Sequence, residues 1–275
     1  VGNEISEFEK KFIREASQYL ENPSFLMKLV EILGDPLERG LRVLPEKVQN
    51  LAATATDKAL KVALRAALFK LDSERPIVIR SLQDALGEIE STKNLSKVTT
   101  SLTGVAGGFF GMAGLPVELP ITTTLILRSI AQIGASFGVD LNKPENQIDC
   151  LFVLSAGTDY YSARFSFSLL LKEALRLLTT KGTRNLAEAL MQGSAPILVR
   201  LISHIASRFH LVVGQKWMAQ SVPIVGAAAG GMINFAFTEH FNAVAKYHFG
   251  LKSLEARYGE KTVRDIYASS SAQRA

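Results

Sequence analysis

Between Lys97 and Glu118 the chain carries no charged side chain, and a second uncharged run extends from Trp217 to Thr238. About twenty such residues in a row is the length that crosses a bilayer core. In a folded domain the same composition drives a segment into the interior. Both runs are also crowded with glycine. Gly104 and Gly108, Gly107 and Gly111, and Gly226 and Gly230 each stand four residues apart, a spacing that flattens one face of a helix and lets another backbone come close. Glycine costs a helix about 0.5–1 kcal/mol relative to alanine, so this density implies a packing or bending requirement. Permanent membrane spans fit poorly, because Pro116, Glu118 and Pro120 close the first run and Gln220, Pro223 and Asn234 interrupt the second. The expectation is a pair of closely packing, glycine-rich core segments with peripheral or reversible membrane contact.

The remaining chain reads as helix throughout, with no period-two alternation long enough for a strand. Ile5, Phe8, Phe12, Ile13, Ala16, Tyr19 and Leu20 recur at helical spacing. That amphipathic segment is rich in Phe and suits a membrane surface, but its acidic and basic charges balance near its start, so docking on the bundle is the expectation. Helices are predicted at 24–33, from Pro45 to Leu71, at 77–89, and from Ile121 to Phe137 with Gly138 as the stop. Further helices are predicted at 148–156, 160–178, 183–191, 197–219 and from Phe235 to Tyr258, ended by Gly259. The fold class is all-α, a single large multi-helix domain. It divides into an N-terminal helical arm at 1–44, a main domain at 45–260 and a C-terminal tail at 261–275.

The net charge of +5 and pI near 9.3 favour anionic partners. Acidic residues are mixed among the basic ones everywhere, so no nucleic-acid stripe forms and nucleic acid is not an expected partner. Basic residues Arg164, Lys172, Arg176, Lys181 and Arg184 recur along one region, either as a solvated helix face or as a surface for anionic headgroups. Cys150 is the single cysteine, which excludes a disulfide framework and suits a reducing, cytoplasmic compartment. In its apolar run it reads as core.

Long, unusual strings carry a family resemblance. They are Gly107-Gly-Phe-Phe-Gly-Met-Ala-Gly-Leu-Pro-Val-Glu-Leu-Pro-Ile-Thr-Thr-Thr124, Leu127-Arg-Ser-Ile-Ala131, Val222-Pro-Ile-Val-Gly-Ala-Ala-Ala-Gly-Gly231, Asn234-Phe-Ala-Phe-Thr-Glu-His-Phe241 and Leu254-Glu-Ala-Arg-Tyr-Gly259. Over about Pro45 to Gly259 the chain resembles the EcsC family of bacterial proteins. The resemblance implies an all-α protein of undefined biochemical activity. The family's namesake accompanies an ABC transporter operon, and some eukaryotic relatives join the domain to phosphoinositide-binding modules. Both associations imply membranes and lipids, and a "peptidase" label on some relatives asks for catalytic residues.

The residues do not supply them. His204, His210, His240 and His248 form no His-Glu-x-x-His pair, and His240 and His248 stand about 12 Å apart along one helix, too far to share a metal. No Gly-x-Ser-x-Gly elbow or Walker-type string occurs. Glu118, placed just before the Ile121 helix, reads as a cap facing a helix N-terminus. It reads alternatively as a carboxylate at the mouth of an apolar cavity, paired with Arg128 or His240. Thr122, Thr123 and Thr124 offer hydroxyls on the same turn or bond back to the helix. The glycine-rich loop could also cradle a lipid phosphate, although Glu118 would repel it.

The favoured expectation is therefore a non-enzymatic protein, peripheral on the inner face of the cell membrane, that binds a lipid headgroup or acyl chain without cofactor or metal. The candidate ligand-binding residues are Gly107, Gly108, Phe109, Phe110, Gly111, Pro116, Glu118, Thr122, Arg128, Gly226, Gly230, Asn234 and His240. The alternatives are a peptidase-like hydrolase using Glu118 and His240, and an adaptor for an ABC-type membrane transporter.

Overall fold

The structure is a computed structural model that describes residues 4–21, 59–60, 81–91, 111–155, 160–181, 200, 203, 205–206, 209, 212–214, 216 and 227–272. Among them there is no strand, and nearly all are helical. The helices are α1 (Glu7–Glu21), α2 (82–91), α3 (Gly111–Ser136), α4 (Pro144–Val153), α5 (Tyr160–Lys181), α6 (Ala227–Tyr258) and α7 (Glu260–Ala272). The described residues between 203 and 216 are helical as well. No helix among the described residues is long and apolar enough to cross a membrane.

Everything is arranged around α6. From Ile233 to Leu254 almost every residue is buried or half-buried on all sides of the helix, as its sequence demands, since apolar residues there fill every face rather than one stripe. α3, α1, α4 and α7 all pack on it. Ser129 of α3 meets Asn242 of α6, and Gly134 lies against the Phe249 ring. Positions rise together in these two contacts, so α3 and α6 run parallel. α1 lies along another face, with Phe12 and Tyr19 both against Tyr247. Phe209 closes a third face against Phe237 and Phe241.

Local signals explain the helix ends. Ser6 and Glu9 form a reciprocal capping box at the start of α1, the Glu9 amide donating to Ser6 Oγ (3.2 Å) and the Ser6 amide to Glu9 Oε2 (2.9 Å). Gly138 takes φ 79° after α3, and the amides of Gly138 and Val139 donate to Ala135 and Gly134, a Schellman closure. Gly259, at φ 86°, ends α6.

Three expectations change. α3 begins at Gly111, ten residues before Ile121, and runs through Pro116 and Pro120. Each proline removes one amide, so the carbonyls of Met112 and Pro116 have no donor four residues on, yet the helix persists. α6 likewise begins at Ala227 rather than Phe235, because its small residues continue the helix. Past Gly259 the chain forms α7 rather than a tail, and α7 packs on α1 and α6 through buried Val263 and Tyr267. The helices predicted at 24–33 and 183–191, most of those at 45–71 and 197–219, and the glycines at 104–108 and 226 lie outside the described residues.

α1 and α6 pack tightly at Gly250: a Cβ there would sit 2.4 Å from Phe12 Cζ. Phe12 is buried and stacked on Tyr247, so it cannot swing clear. G250A should destabilise the fold by about 1–3 kcal/mol in chemical denaturation despite alanine's better helix propensity, and F12L in the same chain should restore part of the loss.

Candidate functional site

A helix buried on every side must satisfy its own polar groups, and α6 carries Asn234, Thr238, His240, Asn242 and His248 in the interior. Thr238 donates to the Asn234 carbonyl (2.9 Å), and Asn242 Oδ1 accepts from Ser129 (2.8 Å). His240, 1% exposed, faces α1, where Tyr19 Oη stands 3.2 Å from its Nδ1.

His248 anchors the largest cluster. Its Nε2 lies 3.2 Å from Asp149 Oδ2 of α4, and its Nδ1 lies 2.8 Å from the hydroxyl of Tyr160 on α5. Lys252, one turn along α6, donates to the same Asp149 oxygen. A further turn on, Glu255 accepts from Tyr161 (2.9 Å) and from both ends of the Arg164 guanidinium, a bidentate pair. Tyr267 of α7 donates to Glu21 of α1 (2.8 Å), with its ring edge-on to Tyr161 at 4.8 Å. The cluster therefore joins α1, α4, α5, α6 and α7.

Electrostatics determine the protonation states. Burial works to raise the Asp149 pKa, but the His248 N–H and the Lys252 ammonium outweigh it and hold the carboxyl well below the usual carboxylate range. Burial pushes His248 down despite Asp149, so the imidazole is neutral. It donates from Nε2 to Asp149 and accepts the Tyr160 proton at Nδ1, which satisfies all three groups. Burial likewise raises the Cys150 thiol, an inert core residue.

Asp149, His248 and Tyr160 stand in the carboxylate–imidazole–hydroxyl order of a nucleophilic triad. Tyr160 and His248 are nonetheless 0% exposed, and the Tyr160 proton is engaged on the imidazole. No substrate can touch them, and only Lys252 reaches toward the surface. The cluster is an interior polar lock. Among the described residues no group of His, Cys, Asp and Glu could hold a metal ion.

The N-terminal halves of α3 and α6 have a different character. Thr124 bonds back to the Pro120 carbonyl (2.8 Å). Thr122 and Thr123, both 0% exposed, have hydroxyls with no hydrogen-bond partner among the described residues. They precede Ser129 on α3 by about two turns, as buried Asn234 precedes Asn242 on the parallel α6. At the same end Ile121 and Met232 are exposed, at 51% and 43%.

The family model for the EcsC protein family matches residues 7–254. The chain belongs to the EcsC protein family. No curated protein and no solved structure matches it. The family match begins in α1, upstream of the Pro45 at which the resemblance was read, and ends in α6 before α7.

In this EcsC protein the sequence-derived candidates fall in several places. Gly107, Gly108, Phe109, Phe110 and Gly226 lie outside the described residues. Gly111, Pro116 and Glu118 belong to α3, and Gly230 to α6. Glu118 is the eighth residue of a continuous helix and does not face a helix N-terminus, which corrects the capping reading. The loop-amide cradle before Ile121 falls with it. Arg128 is exposed on α3, roughly 15 Å further along the helix than Glu118. Thr122 and Asn234 are both buried, on α3 and α6, while His240 is turned to α1. Sequence reading missed the Asp149 cluster altogether. The available signals were His248, Lys252 and Glu255 on one side of α6, and Tyr160, Tyr161 and Arg164 at the start of α5.

The polar lock gives the EcsC protein a defined pH response. A neutral buried His248 has its pKa lowered by folding, so its contribution is complete above the unfolded value near 6.5 and declines as pH falls below it. Asp149, also lowered, adds to the loss below about pH 4. The melting temperature should fall between pH 7 and pH 5, and H248Q, though less stable by about 2–4 kcal/mol at pH 7, should show a flatter profile over that range.

Proposed function

We propose that this EcsC-family protein binds a lipid or acyl chain, without catalysing a reaction, as a peripheral protein on the cytoplasmic face of the membrane. The observation that carries the reading is the pair of buried hydroxyls of Thr122 and Thr123, which have no hydrogen-bond partner among the described residues. Buried hydroxyls are normally satisfied, and one left unpaired costs about 1–3 kcal/mol. Ile121, next to them in sequence, and Met232 in the N-terminal half of α6 expose apolar surface. A polar demand inside and an apolar demand at the rim are met together by an amphiphile.

The chemistry of α3 bears on the ligand's polar end. Its two prolines remove amide donors, which leaves two carbonyls free to accept hydrogen bonds from a ligand. A headgroup or chain terminus with hydroxyl or ammonium donors suits these groups. The hydrolase alternative gains nothing, since His240 is committed to Tyr19 and the one triad-like arrangement among the described residues is sealed.

Native mass spectrometry and solvent extraction of the purified protein test the proposal. The wild type should carry a stoichiometric amphiphile. T122V/T123V should lose it while the ligand-free protein melts at the same or a higher temperature, because valine removes two unpaired polar atoms. No bound amphiphile in the wild type, or equal loading of the double variant, would sink the reading.

A further inference from the structure

α5 presents one side of itself to solvent in an unusual form. Phe165 is 66% exposed and Leu169 is 51% exposed. Lys172 and Arg176 are exposed at the following positions of the same line, with the spacing i, i+4, i+7, i+11 that stacks side chains along one helix face. Ser162 and Ser166 flank Phe165 and are exposed too, so the ring stands above short neighbours. The opposite side of α5 is spent in the core: Tyr160, Ala163 and Phe167 are buried, Phe167 stacks on Phe152 at 4.8 Å, and Arg164 is engaged with Glu255.

We infer that this face of α5 is the surface by which the protein docks on an anionic bilayer, Phe165 and Leu169 entering the interfacial region and Lys172 and Arg176 meeting anionic headgroups. The inference rests on the peripheral membrane reading above and assigns it a surface. Charge decides the occupant. The line holds two cations and no acid, and the acid beside it, Glu173, is already 3.0 Å from Arg176, which leaves the face net positive on a chain of net charge +5. Apolar side chains followed by basic ones on one helical line is the pattern of an interfacial helix. Each cation near an anionic leaflet adds attraction that salt weakens. Burying α5's inner side chains in the bundle fixes the helix, so its apolar residues meet the bilayer without an ordering step.

Vesicle co-sedimentation tests this with the full chain. Wild type should sediment with vesicles of equal parts phosphatidylcholine and phosphatidylglycerol, less as salt rises, and should stay in solution with phosphatidylcholine alone. F165S/L169S should partition at least roughly tenfold more weakly, and K172E should weaken binding and its salt dependence. Because all three residues are exposed, their melting temperatures should match wild type. The amphiphile detected by native mass spectrometry should be retained in F165S/L169S, and T122V/T123V should still sediment. Loss of the amphiphile reading alone therefore leaves docking standing, and the reverse. No wild-type sedimentation with anionic vesicles, or sedimentation of F165S/L169S equal to wild type, overturns the docking inference. So does self-association abolished by F165S/L169S in the absence of vesicle binding, which would make the face an interface between copies.

Discussion

The hydrogen bonds of His248 are the constraint on which the rest depends. α6 passes through the middle of the molecule, and a helix there cannot leave an imidazole without partners on either nitrogen. Asp149 on one side and Tyr160 on the other provide them, at 3.2 and 2.8 Å, and in doing so they fix how α4 and α5 sit against α6. Lys252 and Glu255 extend the same line toward the surface. Truncating one member of such a chain leaves the others buried and unpaired, which is why polar interiors specify a fold more sharply than they stabilise it.

Against that background the threonines of α3 stand out. Most other buried polar groups described around α6 are paired within the protein, often with a partner far away in sequence, although Glu239 Oε1 has no hydrogen-bond partner among the described residues. Thr122 and Thr123 sit within the same core at an end where Ile121 and Met232 are open to solvent. One end of the α3–α6 pair is thus chemically closed and the other is incomplete. This contrast, rather than any resemblance to a catalytic site, motivates the proposed ligand.

Much of the fold is legible in the sequence. Uncharged runs and helical periodicity implied an all-α core, and Gly138 and Gly259 marked helix ends because each must adopt a positive φ there. Pro116 and Pro120 misled, since proline inside a helix is normally disruptive and here α3 continues through both. The serine-rich segment after Gly259 read as tail because propensity is weak there; burial of Val263 and Tyr267 makes it a helix. Thr122 was legible as a candidate, but its lack of a partner is a property of packing. The Asp149–His248 contact was not legible, because 99 residues separate the two and no local spacing records the pairing.

The ends of the described chain are sewn together. Ser17 donates to the carbonyl of Tyr267, Glu21 accepts from the Tyr267 hydroxyl, and Glu9 meets Arg257 and Tyr258. Such contacts close loops of nearly the whole chain, and loop-closure entropy makes long-range contacts slow to form. During synthesis α1 emerges before α6 and α7, so its contacts with them form only after those helices have left the ribosome. This part of the native topology consequently completes late, and the interval before closure is when the growing chain most needs protection from aggregation.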